Sequence, residues 1–290
     1  MKKRERVTIG HLWGAFYPAL LYLLVTELMG IIFLAIAIYH GKIVISNSSD
    51  VVKFVSQYAL LMTFFATLVT APVLILIKCR DLKQQRAIGA YGYKSESFFK
   101  YLLIIPFSIV FVYTGNVLVH IFETLIPSMA DSFENTAKSI YGANIYLQII
   151  TVVILGPIVE ELVFRGLMYI RLKRMFGIGI SSLVTGLAFG IFHGNISQGI
   201  YAFLFSYAAI FLYEKYKNIY APIIFHMTAN AFSVLVTFLL KDYNTSSESV
   251  TTTSSNLADL GVMIFIFCFG ASICSLFVLL IYRYVNPRKK

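Results

Sequence analysis

The sequence contains few charged residues, and acidic residues are especially scarce. Charged residues make up 13% of 290, and only 14 residues are Asp or Glu, whereas 58% are hydrophobic. The mean hydropathy is +0.77. Soluble domains carry about 25% charged residues, so this composition excludes an ordinary soluble protein. We therefore expect a multi-pass protein of the cell membrane.

Cysteine and several catalytic motifs are also missing or rare. Cys79, Cys268 and Cys274 lack the spacing of a metal-binding motif and imply no disulfide framework. The sequence has no HisGluXaaXaaHis, no GlyXaaSerXaaGly, no Walker loop and no paired intramembrane aspartates. These absences exclude the zincin, nucleophile-elbow hydrolase, P-loop and aspartyl intramembrane classes of site.

Long apolar stretches take up most of the chain. About 20 apolar residues suffice for one transmembrane helix, and eight stretches are candidates. We predict an all-α fold, a polytopic membrane helix bundle of about eight helices. The fifth and sixth stretches are short, so one of them could be tilted, broken or re-entrant. The eight lie near 13–39, 56–78, 99–121, 146–170, 179–197, 199–214, 219–240 and 259–284.

Basic residues outnumber acidic ones, and the net charge is +10. In an eight-helix arrangement, 19 of the 24 Lys and Arg residues fall on one side of the membrane. The positive-inside rule then places both termini in the cytoplasm. The basic clusters would contact anionic lipid headgroups of the bilayer, and their distribution argues against a nucleic-acid surface.

Two adjacent glutamates, Glu160 and Glu161, lie inside the apolar stretch 151–169. An ionised carboxylate in a bilayer costs several kcal/mol, so such residues usually mark a functional site. Arg165 follows Glu161 by four residues, acid before base, which is the favourable order for an ion pair on a helix. We expect Glu161 and Arg165 to pair.

Other polar residues in the predicted helices share the same spacing. His226 and Asn230 are four residues apart, as are Phe189 and His193, so each pair lies on one helix face. Glu160 and Glu161 differ by about 100° around their helix, which leaves Glu160 to find partners on other helices. The intramembrane candidates are His193 and His226. This asymmetry assigns Glu160 to chemistry and Glu161 to structural support.

Two kinds of chemistry suit these residues. Glu160 could take a proton from water while His193 orients the nucleophile, and His226 and Asn230 could donate hydrogen bonds to an oxyanion. Alternatively, Glu160, His193 and His226 could hold one Zn²⁺ or another divalent metal, with a fourth position left for water. The residues alone leave both possibilities open.

Three motifs, GluGluLeuValPheArg (160–165), PheGlyIlePheHis (189–193) and HisMetThrAlaAsn (226–230), resemble those of the CAAX-protease and bacteriocin-processing family, also called the Abi family. The resemblance covers about 146–232. It implies an intramembrane endopeptidase that hydrolyses membrane-tethered protein or peptide substrates. It also suggests a division into N-terminal helices (1–145), a catalytic core (146–240) and a loop with a last helix (241–290).

The resemblance also implies a role for each motif residue. Glu160 and His193 would activate the hydrolytic water, and His226 and Asn230 would stabilise the oxyanion. The supporting residues would be Glu161, Arg165 and Phe189. Whether members of this family use a metal is not fixed by the motifs.

Two other functions remain as alternatives. A bacteriocin self-immunity protein could use the same fold for binding without catalysis. A transporter could use the buried Glu and His residues as a proton relay, although no internal repeat of the kind many transporters have is visible. The substrate also remains open among prenylated proteins, peptide pheromones, bacteriocin leaders and membrane regulators.

Overall fold

The computed structural model describes residues 7–43, 48–87, 96–129, 138–245 and 257–285, and all regular secondary structure within these ranges is helical. Two π-helical segments and one short 3-10 turn, Pro127–Met129, accompany the α-helices. The α-helices are α1 (Ile9–Tyr39), α2 (Ser48–Ala87), α3 (Phe98–Tyr101), α4 (Ile104–Leu125), α5 (Ile145–Gln148), α6 (Gly156–Glu161), α7 (Ile170–Phe192), α8 (Ile196–Tyr216), α9 (Tyr220–Thr245) and α10 (Leu257–Tyr284), and the π-helices are π1 (Ile149–Leu155) and π2 (Leu162–Tyr169).

Seven helical segments among the described residues are long and apolar enough to cross a membrane. The prediction of an all-α, multi-pass membrane protein is therefore confirmed. The count differs from eight because the predicted helices 146–170 and 179–197 belong to one helical segment, Ile145–Phe192. The predicted cytoplasmic position of both termini stays a prediction.

This segment of 48 residues is too long for one straight crossing. At about 1.5 Å per residue it would extend roughly 72 Å, against a hydrocarbon core of about 30 Å. Gly177 interrupts it with non-helical backbone angles, φ 78° and ψ −176°. Only glycine adopts this conformation readily. The predicted boundary between the fourth and fifth helices thus corresponds to a glycine break inside α7.

The chain forms two compact units, and the first consists of residues 1–92 with 135–185. Here α1 and α2 pack against the segment that contains π1, α6 and π2. A side-chain hydrogen bond of 3.2 Å joins Tyr22 of α1 to Thr67 of α2. Lys78 of α2 donates from Nζ to the carbonyl oxygen of Gly166 at 2.7 Å. Polar contacts therefore hold the glutamate-bearing segment against its neighbours.

The second unit consists of residues 93–134 with 186–290, and its core is aromatic. Phe225 of α9 stacks on Phe107 of α4 and on Phe205 of α8, with ring centroids 5.3 and 4.6 Å apart. Ser108 of α4 donates to the carbonyl oxygen of Phe225 at 2.6 Å. Three helices therefore meet around Phe225. The division into 1–145, 146–240 and 241–290 stays a prediction.

Replacement of Gly177 by alanine should destabilise the protein, because a β-carbon disfavours the backbone conformation at this position. The expected loss is about 1–3 kcal/mol, measured as a lower midpoint of thermal unfolding in detergent. Gly179→Ala is the matched control, since Gly179 is helical and a β-carbon there would meet nothing within 4 Å. Equal stability of the two variants would show that the break does not require glycine.

Candidate functional site

The helix that carries the glutamates departs from α-helical geometry on both sides of them. The short helix α6 lies between π1 and π2. The N–H of Gly156 donates to the carbonyl oxygen of Thr151, five residues earlier, which is the π-helical pattern. Pro157 has no N–H and cannot continue the α-helical ladder at this point. Such π segments are rare and frequently occur at functional sites.

Gly156 allows a close approach that a larger residue would prevent. A β-carbon at this position would lie 2.8 Å from the backbone carbonyl oxygen of Thr151 and 3.8 Å from Oε1 of Glu160. The Glu160 carboxylate therefore lies back over the glycine one turn before it. The sequence pair Gly156-Pro157 thus shapes the backbone on which Glu160 is held.

Glu161 and Arg165 form the predicted ion pair. Arg165 donates from Nη1 to Oε1 of Glu161 at 2.9 Å, and both side chains are 0% exposed. The pair spans the boundary between α6 and π2. Removing one partner of such a buried pair would leave an uncompensated charge in an apolar interior. The pair therefore fixes the relation between these two helical segments.

Glu160 has a different environment from its neighbour. Its side chain is only half-buried, and it interacts electrostatically with Arg165 and with Tyr22 of α1. Tyr22 is itself buried and hydrogen-bonded to Thr67. The two adjacent carboxylates thus differ in solvent exposure. This difference agrees with the assignment of separate roles to Glu160 and Glu161.

His193 does not lie within a helix, contrary to the predicted span 179–197. Helix α7 ends at Phe192, and His193, Gly194 and Asn195 form the turn into α8. Gly194 has a left-handed φ of 73°, and the Asn195 side chain accepts a hydrogen bond from the N–H of Gln198 at 2.8 Å. A glycine after one helix and an asparagine N-cap before the next are recognisable signals. They could have located this turn from the sequence.

The His193 imidazole is held by Phe189, one turn before it, as the four-residue spacing predicted. Its Nδ1 lies 2.7 Å from the Phe189 carbonyl oxygen. A carbonyl can only accept, so Nδ1 carries the proton and Nε2 is left as the acceptor or ligand atom. The Phe189 ring meets the imidazole edge-on, with centroids 4.7 Å apart. Both contacts fix the direction of Nε2.

His226 is 6% exposed and lies in the second turn of α9, among aromatic rings. Its ring centroid lies 6.1 Å from that of Phe189 and 4.7 Å from that of Phe205. Phe189 therefore contacts both imidazoles and brings His193 and His226 together within the second unit. Asn230, half-buried, follows His226 by one helical turn.

Glycines let α7 and α8 approach closely near His193. A β-carbon on Gly190 would lie 2.8 Å from the carbonyl oxygen of Gly199, and one on Gly199 would lie 3.1 Å from that of Gly190. Small residues permit such backbone contacts between membrane helices. The two helices are thereby held together beside the turn that carries His193.

The candidate residues fit the donor chemistry of zinc, since carboxylate and imidazole are common zinc ligands. His193 also has the arrangement usual for a metal-binding histidine, with its other ring nitrogen bonded to a carbonyl. Within either unit, the described residues include no group of three His, Cys, Asp or Glu side chains placed to hold a metal. The predicted metal set draws Glu160 from one unit and both histidines from the other.

Residues on distant helices that contact the motif were missed by sequence reasoning. Tyr22 interacts electrostatically with Glu160, and Lys78 donates to the Gly166 carbonyl. Both lie more than 80 positions earlier in the chain than the residues they reach. No spacing pattern connects them with the motifs. Only tertiary packing could identify them.

Residues 142–232 match a family model described as type II CAAX prenyl endopeptidase Rce1-like. This segment contains all three motifs. A protein of Bacillus subtilis (strain 168) named "Putative membrane peptidase YdiL" is 31% identical over 90 residues, which is 31% of this chain and 37% of that protein. The similarity therefore spans little more than a third of the relative's length. No solved structure matches the chain.

Replacement of the buried Arg165 by a neutral residue should destabilise the protein strongly. Arg165→Met removes the cation that pairs with the Glu161 carboxylate in an apolar interior, and the expected loss is about 3–5 kcal/mol. Thermal unfolding in detergent measures it, with Lys173→Met as the control, because Lys173 is only half-buried. If Arg165→Met unfolds at the wild-type temperature, the pair has no structural role.

Proposed function

We propose that this chain, which resembles the CAAX-protease and bacteriocin-processing family over residues 142–232, is an intramembrane endopeptidase. Its substrates would be membrane-associated proteins or peptides. The observation that carries the proposal is the contrast between the two adjacent carboxylates. Glu161 is fully buried in its ion pair with Arg165, while Glu160 is half-buried. A second carboxylate is costly in an apolar helix unless the protein uses it.

Glu160 is the proposed general base. It would take a proton from a water molecule as the water oxygen attacks the peptide carbonyl carbon. Collapse of the tetrahedral intermediate breaks the C–N bond, and the proton passes to the leaving amine. The position of the carboxylate over Gly156 and the buried neighbouring ion pair support this role, because both hold the side chain in place.

His193 is proposed to act on the same water through Nε2. Its Nδ1 proton is committed to the Phe189 carbonyl, so Nε2 can accept a proton or orient the nucleophile. A side chain fixed on two sides needs little reorganisation during the reaction. The turn position of His193 leaves the ring half-buried.

His226 and Asn230 are the proposed oxyanion donors. An imidazole N–H and an amide N–H one turn apart can both donate to the developing charge. The aromatic rings of Phe189 and Phe205 surround His226 and exclude water from it. A hydrogen bond to a charge is stronger in such a low-dielectric environment.

Replacement of Glu160 by glutamine should abolish peptide cleavage without unfolding the protein. The expected loss of rate is about 10²- to 10⁴-fold, because glutamine cannot accept the proton. Peptides with changed termini in membranes from cells that express wild type or variant identify the substrates, and cleavage in liposomes gives the rates. Glu27→Gln is the control, since Glu27 lies in α1, outside all three motifs.

The remaining motif residues provide a second comparison. His193→Ala should add little to the defect of Glu160→Gln, because residues that act in one step are not additive. If the rate losses of the two substitutions add in the double variant, Glu160 and His193 act in different steps. If Glu160→Gln retains bacteriocin immunity and no cleavage is found, binding without catalysis replaces the proposal. Substrate flux that depends on Glu160 would indicate a carrier.

A divalent metal is the alternative route to an activated water. Glu160, His193 and His226 would hold it, and it would supply Lewis-acid lowering of the pKa of water. We expect at most one divalent ion per chain in active, purified protein, measured by elemental mass spectrometry. Full activity in a preparation free of metal would remove this alternative, and loss of both metal and activity in His226→Ala would support it.

A further inference from the structure

A polar pocket in the first unit takes no part in the proposed chemistry. It has a volume of about 300 Å³ and lies between the beginning of α1, the end of α2 and the part of α7 that precedes Gly177. Its size is at the lower end for ligand pockets, so it suits a small group. Its polar walls include His11, Tyr17, Arg80, Asp81, Arg171 and Arg174.

Arg171 and Asp81 neutralise each other and hold the pocket together. Arg171 donates from Nε and Nη2 to the two carboxylate oxygens of Asp81, at 2.8 and 3.0 Å. Its Nη1 donates to the carbonyl oxygen of Gly14, and its guanidinium lies over the ring of Tyr17. This one side chain thus joins α1, α2 and α7. Among the described residues that line the pocket, Asp81 is the only acidic one, and both of its carboxylate oxygens accept from Arg171.

Arg80 and Arg174 also line the pocket, and no further acidic residue among the described lining residues balances their charge. The Nη2 atom of Arg174 is buried and has no hydrogen-bond partner within the part of the chain that the structure describes. A buried donor without an acceptor carries a free-energy cost. Arg174 lines the pocket, so rotation of its guanidinium toward a bound anion would remove that cost. Lys78 interacts electrostatically with Arg171 and Arg174 and strengthens the positive field.

The residues around the pocket are typical of the level of the lipid headgroups. One wall is formed by the first turns of α1, the helix that also carries Trp13, which is 63% exposed and is the single tryptophan of the chain. Tryptophan is enriched where a membrane helix meets the headgroup region. Arg80 lies near the end of its membrane-spanning segment. The headgroup of a bilayer lipid could therefore reach this pocket.

We propose that the pocket binds the phosphate of an anionic phospholipid, with Arg80 and Arg174 donating to its oxygens and Arg171 bracing the walls. Guanidinium groups suit phosphate because of their paired donors. Gly14 leaves room for the headgroup, since a β-carbon there would meet nothing within 4 Å. The inference is independent of the proposed peptidase activity.

The test uses the full chain, purified in detergent, stripped of lipid and titrated with phosphatidylglycerol or phosphatidylcholine under native mass spectrometry. Wild type should prefer phosphatidylglycerol. Arg174→Gln and Arg80→Gln should each weaken its binding about tenfold, the effect of one charge-assisted hydrogen bond. Lys83→Gln is the matched control on the same helix, outside the pocket lining, and should change binding less than twofold.

A steric variant tests the pocket without removing charge. Gly14→Leu should fill it and weaken phosphatidylglycerol binding, whereas Gly30→Leu on the same helix, where a β-carbon also meets nothing within 4 Å, should not. Unchanged binding in Gly14→Leu, or equal weakening by Lys83→Gln, would overturn the proposal in favour of a diffuse basic surface. Glycerol phosphate that binds as tightly as the lipid would show a soluble phosphate ester as the ligand and overturn the lipid assignment.

Discussion

The ion pair between Glu161 and Arg165 is the contact on which the arrangement of the motif helix depends. Two full charges lie without solvent exposure in a segment built from valine, leucine and phenylalanine. Neither charge is tolerable there without the other. Because the pair bridges α6 and π2, it sets the rotation of one segment against the other. Glu160, the residue before Glu161, receives its direction from this constraint.

The second unit positions its polar groups in another way. His193 and His226 depend on aromatic contacts and on one backbone carbonyl rather than on charge. Phe189 has two functions here, since its carbonyl fixes the His193 tautomer and its ring touches both imidazoles. The aromatic residue of the second motif is therefore a positioning residue as well as a packing residue. This explains physically why phenylalanine and histidine stand four residues apart.

Contacts within one helix were accessible from the sequence, because the helical period fixes which side chains share a face. The Glu161–Arg165 pair and the Phe189–His193 contact are both of this kind. The positions at which the helices are interrupted or end were harder to predict from the sequence. Gly177 joins two predicted helices into one interrupted segment, and the turn at Gly194 places His193 after a helix end. The phosphate pocket depends on residues from three helices that no local pattern relates.

The hydrogen bond from Lys78 to the Gly166 carbonyl has a consequence for membrane insertion. A π-helical segment shifts its backbone pairing, and the bilayer core offers no water to satisfy a carbonyl that is left over. The donor comes from α2, which precedes the motif helix in the chain and is therefore synthesised before it. During biogenesis, the helix with the glutamate motif thus enters a membrane in which its partner is already present. The motif helix alone would lack that donor.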